Sequence, residues 1–482
     1  RDFKMAEKNL KSATKRGLIW SAIDRFGSQG ISFIFSIILA RLLSPEAYGI
    51  IAMPMVFLAL AQVFIDSGFS SALVRKTDLT EEDLSTAFYF NIIVGAVCYS
   101  ALFVASPYIA NFYETPILAD LLKVTALATL FNPLCIVQQT ILTKKIDFKT
   151  QARISIIAAV LAGIVGIWMA YNGFGVWSLV VQQVGAALVR VIMLWSFSSW
   201  RPTTSWSNDS FRYLWNYGSK MLASGVIDTA YNNIYPIVIG KFYSAESLGV
   251  YTRAQHFADL PSMNVTGVLQ RVTFPVLSSI QNEEERLAQS YRKLLKLSAF
   301  VVFPLMALLA GIADPIVRIL LGEQWIDAIL LLQILCFARI FYPIHAINLN
   351  LLQVKGRSDL FLRLEILKKV VGIAIMIYTI PRGLTMMAIG MIVSSFLCLT
   401  INTYYTGKLI NVGYFVQMKD IMPTLVISII MTALMLFLNK IIPSAYAQLL
   451  VSGLLGCLFY ISASKLFLRE QFDYALSLIK KK

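Results

Sequence analysis

The sequence predicts an all-α polytopic membrane protein, with about fourteen transmembrane helices in two parallel-repeat six-helix lobes plus two C-terminal helices. Three observations predict this fold: the composition, the spacing of apolar windows and an internal repeat. Of the 482 residues, 57% are apolar and only 14% are charged. This balance is typical of a polytopic membrane protein and excludes an ordinary soluble domain of this length.

Apolar windows long enough to cross a bilayer recur along the whole chain. A spanning helix needs about 20 such residues. The windows lie at about 17–41, 48–74, 86–112, 117–143, 153–172, 174–198, 217–242, 247–277, 292–313, 325–352, 362–380, 384–407, 421–439 and 445–468. The window at 247–277 contains Pro261 and Pro275, and each proline removes a backbone donor, so we expect a break or kink there.

One short segment occurs twice. Residues 37–50 read IILARLLSPEAYGI and residues 237–250 read IVIGKFYSAESLGV, with Ile, Ser, Glu and Gly at matching offsets. A second pair, Phe-Asn-Pro at 131–133 and Phe-Tyr-Pro at 341–343, lies in the fourth span of each half. Coincidence between apolar segments is the alternative. An even number of crossings separates equivalent spans, so the two repeats are predicted to be parallel.

The repeat divides the chain into predicted regions, and no connection is long enough to fold separately. The regions are a basic cytoplasmic leader at 1–16, an N-lobe of helices 1–6 at 17–198, an interfacial linker at 199–216, a C-lobe of helices 7–12 at 217–408, and helices 13 and 14 with a basic tail at 409–482. The first four residues, Arg-Asp-Phe-Lys, precede Met5 and are interpreted as a processing remnant.

Basic residues predict how the chain is oriented in the membrane. If the N-terminus is cytoplasmic and fourteen spans alternate, about 30 of the 42 Lys and Arg residues fall on the inner side and roughly six on the outer side. Both termini are therefore expected in the cytoplasm. A cationic inner face against anionic membrane lipids accounts for the net charge of +15, without nucleic acid as a partner.

Several chemistries have no motif in this chain. The five cysteines are scattered through apolar segments at no metal-ligand spacing, so we interpret them as packing thiols. The sequence contains no phosphate-binding loop for ATP hydrolysis and no glycine-rich dinucleotide turn. We therefore expect no metal, no cofactor and no enzymatic activity.

Charged and amide side chains concentrate in spans 1, 2 and 4 and in the equivalent spans 7, 8 and 10. A charge at mid-membrane costs roughly 2.5–3.5 kcal/mol, so such residues persist where they pair or line a water-filled cavity. The six spans are therefore predicted to form the walls of a polar cavity. Its candidate residues are Asp24, Arg25, Asp66, Gln138, Asp228, Asn232, Asn233, Arg253, His256, Asp259, Arg271, Arg339 and Asn348.

Three arginines among these residues could bind phosphate oxygens. Arg253, Arg271 and Arg339 each offer a planar guanidinium suited to bidentate contacts. The spacing of the polar residues in span 8 predicts that most of them share one side of its helix. The alternative is structural, with Arg253 paired to Asp259 or Asp228 and Arg339 bonded to a helix carbonyl.

The carboxylates suggest ion coupling. Asp24, Asp66 and Asp228 are candidate carriers of a proton or sodium ion, and Asp259 and His256 join them as coupling candidates. The alternative for Asp24 is that the adjacent Arg25 holds it ionised as a structural partner.

Three segments together resemble a known family. They are G-L-I-W-S-A at 17–22, A-R-L-L-S-P-E-A-Y-G-I-I-A-M at 40–53, and D-S-G-F-S-S-A-L-V-R at 66–75. The chain resembles the Wzx-type flippases, polysaccharide transporters of the multidrug/oligosaccharidyl-lipid/polysaccharide exporter superfamily, near the branch for colanic and teichuronic acid-type polymers. The resemblance implies alternating access between two lobes in the bacterial cytoplasmic membrane. It also implies a lipid-linked oligosaccharide carried from the inner to the outer leaflet.

The resemblance gives the candidate residues specific roles. Arg25 would join the three arginines around a polyprenyl pyrophosphate, and a set of amides would hydrogen-bond the sugar. Those amides are Gln138, Asn232, Asn233 and Asn348. A polysaccharide polymerase and glycosyltransferases are the protein partners that the resemblance implies.

Two other functions fit parts of the pattern. A multidrug cation antiporter of the same superfamily would need an acidic cavity, whereas this one has at least as many cations as carboxylates. A non-transporting scaffold of a polysaccharide assembly complex would not need charged residues in equivalent spans of both halves.

Overall fold

The computed structural model describes residues 27–76 and 78–480, and all regular structure within these ranges is helical. The all-α prediction is therefore confirmed. Ten helical segments among the described residues, some of which join consecutive helices, are long and apolar enough to cross a membrane, and a shorter apolar helix covers Gly27–Leu42. The chain is thus a multi-pass membrane protein, and the count of fourteen spans stays a prediction.

The described residues form two compact units that meet in the chain between Gly249 and Val250. The first unit contains the helices α1 Gly27–Leu42, α2 Pro45–Asp66, α3 Phe69–Arg75, α4 Glu81–Phe112, α5 Ile117–Thr125, α6 Ala128–Phe131, α7 Pro133–Lys144, α8 Phe148–Tyr171, α9 Trp177–Phe197, α10 Asn208–Asn232 and α11 Ile234–Phe242, and α12 Ala245–Ser279 begins at its end. The second unit contains most of α12 and the helices α13 Glu284–Gly311, α14 Ala313–Ile316, α15 Ala328–Arg339, α16 Tyr342–Val354, α17 Ser358–Thr379, α18 Leu384–Ile410, α19 Tyr414–Ile441, α20 Ala445–Ala447, α21 Gly453–Phe467 and α22 Arg469–Lys480.

The repeated segment forms the same local structure in both copies. Ser44 precedes α2, and its hydroxyl accepts a hydrogen bond from the Ala47 amide at 3.3 Å. Ser244 precedes α12, and its hydroxyl accepts from the Ser247 amide at 3.0 Å. A serine at this position satisfies a backbone donor that the first turn leaves unpaired. Each copy therefore ends one helix and starts the next.

The two copies also contact each other through their glycines. A Cβ placed on Gly49 would lie 1.6 Å from the backbone oxygen of Ala245, and one on Gly249 would lie 1.8 Å from that of Pro45. Only a residue without a side chain permits this approach. The N-terminal ends of α2 and α12 therefore cross backbone to backbone, each through the equivalent glycine.

The apolar segment that begins with α2 is broken near its far end. Ser67 and Gly68 have φ angles of 44° and 69°, in the left-handed region, so α2 ends and α3 starts in a new direction. A Cβ on Gly218 would lie 2.3 Å from the Ser67 backbone oxygen. The close approach of Gly218 seats α10 directly against this break.

The sequence predicts a break or kink within 247–277; the break is absent, and the kink stays a prediction. α12 runs without interruption through Pro261 and Pro275. Helices in membranes tolerate proline where neighbouring groups satisfy the freed carbonyls, so the missing donors do not end the helix.

Helix α10 begins within the segment predicted as a linker. The Ser207 hydroxyl accepts from the Ser210 amide at 3.2 Å and caps α10 at Asn208. Trp200 and Leu214 are buried in an apolar core with Phe69 and Phe88. The α10 sequence therefore packs as part of the first unit, and the predicted lobe boundaries stay a prediction.

Candidate functional site

The predicted polar residues are distributed over both units. The first unit holds Asp66, Gln138, Asp228, Asn232 and Asn233, and the second holds Arg253, His256, Asp259, Arg339 and Asn348. Asp24 and Arg25 lie outside the described residues, and so does the side chain of Arg271.

Arg339 and Asp259 form an ion pair between α15 and α12. Arg339 Nε lies 2.7 Å from Asp259 Oδ1, and Nη2 donates to Oδ2 at 3.4 Å. The two side chains are 27% and 22% exposed, so the pair is largely withdrawn from solvent. Each charge stabilises the other. A phosphate that approaches Arg339 would therefore compete with a carboxylate already in place.

Arg253 is buried against an aromatic ring. It is 7% exposed, and its guanidinium carbon lies 5.8 Å from the centre of the Trp325 ring. Six residues on a helix correspond to about 240° of rotation, which is about 120° the shorter way around. Arg253 contacts Trp325 and Asp259 contacts Arg339, and a shared polar side of this helix stays a prediction. His256 is exposed on the same helix.

Asn348 is the centre of a buried amide network in the second unit. Its Nδ2 donates to Ile344 O at 2.9 Å and to Gln417 Oε1 at 3.0 Å. Its Oδ1 accepts from Thr406 Oγ1 at 3.1 Å and from Gln417 Nε2 at 3.2 Å. The side chain is 1% exposed, so every polar atom is already used in helix packing.

Gln138 has the opposite environment in the first unit. It is completely buried, and neither its Nε2 nor its Oε1 has a hydrogen-bond partner among the described residues. Asn91 on the neighbouring helix α4 is buried and unpartnered in the same way. A buried amide without a partner costs free energy. These two amides are therefore positions where a water molecule or a polar ligand would be stabilised.

The remaining predicted residues of the first unit are more accessible. Asn233 is half-buried and donates to Thr229 O at 2.8 Å, whereas Asn232 and Asp228 are exposed. Asp66 is half-buried at the end of α2, directly before the break at Ser67 and Gly68.

The structure also groups residues that the sequence analysis did not assign to the candidate site. Arg75, at the end of α3, lines two adjacent depressions with side chains of α7 and α10. On α10 these include Tyr213, Tyr217 and Lys220, which are spaced at i, i+4 and i+7. That spacing places them on one side of a helix and is the sequence signal that could have identified them.

Comparison with known proteins identifies the relatives of the chain. It is 30% identical to the teichuronic acid biosynthesis protein TuaB of Bacillus subtilis over 303 residues, which are 62% of each protein. The match thus spans less than two thirds of that relative. The chain is 26% identical to the lipopolysaccharide biosynthesis protein WzxC of Escherichia coli over 421 residues, covering 86% of this chain and 82% of WzxC.

Solved structures share the fold. The lipid II flippase MurJ, in an inward closed conformation, superposes with a TM-score of 0.76 over 94% of this chain and 99% of its own, at 17% identity. An inward-facing MATE family transporter of the MOP superfamily gives a TM-score of 0.62 over 82% of this chain. The sequence profile of one family, described as polysaccharide biosynthesis protein, matches residues 38–330. Because that match covers more than half of the sequence, this chain belongs to the polysaccharide biosynthesis protein family.

Proposed function

We propose that this protein is a flippase for surface polysaccharide synthesis. It moves oligosaccharide repeat units linked to a polyprenyl pyrophosphate, such as undecaprenyl pyrophosphate, from the cytoplasmic to the outer leaflet. The observation that supports this most is the combination of family and fold. The chain has relatives named for teichuronic acid, succinoglycan and lipopolysaccharide synthesis, and it has the fold of a lipid flippase.

The physical problem of such a substrate matches the composition of the chain. The saccharide and pyrophosphate are too polar to cross hydrocarbon unaided, whereas the polyprenyl tail is soluble only in it. Polar and cationic side chains on membrane helices would stabilise the head, and membrane lipids would solvate the tail. We propose that the protein works by alternating access and catalyses no covalent reaction.

The candidate site residues have different roles in this proposal. Arg25, Arg271 and Arg339 remain proposed contacts of the pyrophosphate, with Arg339 released from Asp259 when the phosphate arrives. Gln138, Asn232 and Asn233 remain proposed contacts of the sugar. Arg253 and Asn348 are buried against protein partners, so we propose that they position the helices instead.

Coupling and partners belong to the same proposal. Asp24, Asp66, Asp228 and His256 are the proposed carriers of a coupling proton or sodium ion, while Asp259 is held by Arg339. The protein would lie in the bacterial cytoplasmic membrane with both termini in the cytoplasm. A polysaccharide polymerase and glycosyltransferases would act beside it.

A multidrug cation antiporter has the same fold but is a weaker candidate. Such a protein needs carboxylates that are available to a cation. Several buried or half-buried carboxylates among the described residues are instead paired, including Asp83 with Lys76 at 2.7 Å, Asp259 with Arg339 at 2.7 Å, and Asp420 with Arg292 at 2.7 Å. This charge balance favours an anionic substrate.

The test of the proposal is the sidedness of the lipid-linked oligosaccharide in cells that lack the protein. We expect the precursor to accumulate in the inner leaflet while its synthesis continues, and we expect the intact gene to restore export. Unchanged sidedness in the deletion strain would rule out flipping and favour a scaffold.

A further inference from the structure

We propose that a groove around Arg75, at the predicted cytoplasmic ends of α3, α7 and α10, binds the pyrophosphate and first sugars of a lipid-linked saccharide. The inference rests on the proposed function, because it names an initial binding site for that substrate. It assigns binding to residues that are not among the candidate residues given above for the predicted cavity. All of them lie in the first compact unit.

The helix break determines where Arg75 lies. Ser67 and Gly68 redirect the chain, and α3 then carries Arg75 in its last turn. A Cβ on Gly68 would lie 2.8 Å from Met221 Cβ, and Gly218 closely approaches the Ser67 backbone. These contacts fix α10 beside α3. The position of Arg75 is therefore built into the backbone, although its side chain is exposed.

One side of the groove is cationic and aromatic. It encloses about 250 Å³, and the Arg75 guanidinium carbon lies 5.4 Å from the centre of the Tyr217 ring. Its lining residues are Ala72, Arg75, Tyr213, Asn216, Tyr217 and Lys220. Among the described residues, neither Arg75 nor Lys220 has an acidic partner. The neighbouring Lys76 differs, because it is neutralised by Asp83 at 2.7 Å.

On the other side of Arg75 lies a depression of about 390 Å³ that is lined mainly by hydroxyl and amide side chains. Ser70 Oγ and Thr140 Oγ1 are 3.2 Å apart, and Gln151 Nε2 donates to Thr143 Oγ1 at 3.0 Å. Gln139 directly precedes Thr140 in α7, is half-buried and also lines this depression. Arg75 thus stands where the cationic side and the uncharged polar side meet.

This arrangement fits a headgroup with two chemical parts. A guanidinium binds two phosphate oxygens at once, and a nearby ammonium adds a second positive charge. Hydroxyls and amides match the donors and acceptors of a sugar, and a tyrosine ring offers both an apolar face and a polar tip. A simple phospholipid headgroup would use the cationic side alone.

The test measures binding by the full-length protein in nanodiscs of neutral phosphatidylcholine. The probes are farnesyl pyrophosphate, a farnesyl pyrophosphate-linked disaccharide and inorganic pyrophosphate, with phosphatidylglycerol nanodiscs as a further arm. We expect Arg75→Gln to weaken binding of both farnesyl probes by about tenfold, the loss of one bidentate contact. Arg212→Gln is the matched control, because Arg212 is exposed on α10 and lines neither side of the groove.

A second variant separates the two sides. Gln139→Leu should weaken binding of the disaccharide-bearing probe by several-fold, roughly the contribution of one hydrogen bond. It should leave binding of farnesyl pyrophosphate unchanged. Arg75→Lys keeps the charge but loses the fork, so it should retain intermediate affinity and guards against misfolding of Arg75→Gln. Melting temperature and gel-filtration profile check the fold of every variant.

Four results would overturn the assignment: no binding of either farnesyl probe, equal losses for Arg75→Gln and Arg212→Gln, Arg75-dependent binding of inorganic pyrophosphate alone, or Arg75-dependent retention of phosphatidylglycerol alone. Failure of the proposed function gives a different pattern. If the wild type binds the probes through Arg75 but moves no lipid-linked saccharide across the bilayer of liposomes, the binding site is supported and the proposed flippase function is wrong. If it flips and Arg75→Gln binds normally, only the groove fails.

Discussion

At the scale of single residues, Asn348 shows why an intramembrane amide need not bind substrate. Three of its four hydrogen bonds link α16 to Thr406 on α18 and Gln417 on α19, and the fourth goes to Ile344 O within α16. Hydrogen bonds of this kind hold membrane helices together where apolar burial gives no driving force. The network therefore accounts for Asn348 without any ligand.

We expect Asn348→Leu to lower the free energy of unfolding by about 1–2 kcal/mol, because Gln417 and Thr406 lose their partner. Thermal unfolding in detergent measures this. Gln353→Leu on the same helix is the control, since Gln353 is exposed and should change little. If Asn348→Leu were as stable as the wild type but did not export polysaccharide, this explanation would be contradicted. Asn348 would then be assigned to the substrate site.

The polar residues within the predicted spans could be identified from the sequence. The residues that they contact on other helices could not. The structural alternative for Arg339 is a hydrogen bond to a helix carbonyl. For Arg253 it is an ion pair with Asp259 or Asp228. The structure pairs Arg339 with Asp259, 80 positions away, and places Arg253 over Trp325. Helical periodicity gives the direction of a side chain on its own helix. It does not say which other helix meets that side.

At the scale of elements, the repeated segment explains how two helices cross. The serine at each copy caps the following helix, and the glycine five residues later removes the side chain at the crossing. The sequence repeat predicted two equivalent turns. It could not predict that the turns touch, because contact depends on the packing of whole helices.

Gly49→Leu or Gly249→Leu should separate the ends of α2 and α12. Each leucine would meet a backbone oxygen less than 2 Å from its Cβ, which cannot move aside as a flexible side chain can. We expect each to lower the free energy of unfolding by roughly 1–3 kcal/mol, measured by thermal unfolding. Gly185→Ala is the control, because no heavy atom lies within 4 Å of its added Cβ. Equal stability of all variants would disprove the close crossing.

An ion pair ties the loop after α4 to the end of α11. Lys241 Nζ lies 2.9 Å from Glu114 Oε1, and this cation lowers the pKa of Glu114. A carboxyl whose folded pKa is depressed adds stability above its unfolded pKa of about 4.3, and loses it as pH falls through the folded pKa. The effect should be small and sensitive to salt, because Glu114 is 82% exposed.

Glu114→Gln should therefore melt slightly below the wild type at neutral pH. The difference should shrink as pH falls below the unfolded pKa of about 4.3 and vanish once pH lies below the depressed folded pKa. Melting temperatures of both proteins across this range test it. Glu82→Gln, at an exposed residue, is the control. If the difference in melting temperature widened as pH falls, the ion pair between Lys241 and Glu114 would not stabilise the folded protein in the way stated.

At the scale of the whole molecule, family and fold followed from features that are visible in the sequence. Two of the three segments that indicated the resemblance, at 40–53 and at 66–75, lie within the profile match over 38–330, whereas the segment at 17–22 lies outside it. The groove around Arg75 was not foreseen, although Arg75 ends the second segment. It depends on a left-handed turn at Ser67 and Gly68 and on the approach of α10.

The central claim is that the protein itself carries a lipid-linked saccharide across a bilayer. The most direct measurement is transbilayer movement of a polyprenyl-pyrophosphate oligosaccharide in liposomes that contain only the purified protein, read by access of an added glycosidase. We predict that saccharide on the inner leaflet becomes accessible at a rate that rises with protein density. Movement no faster than in protein-free liposomes, under an imposed proton or sodium gradient of either direction, would contradict the account.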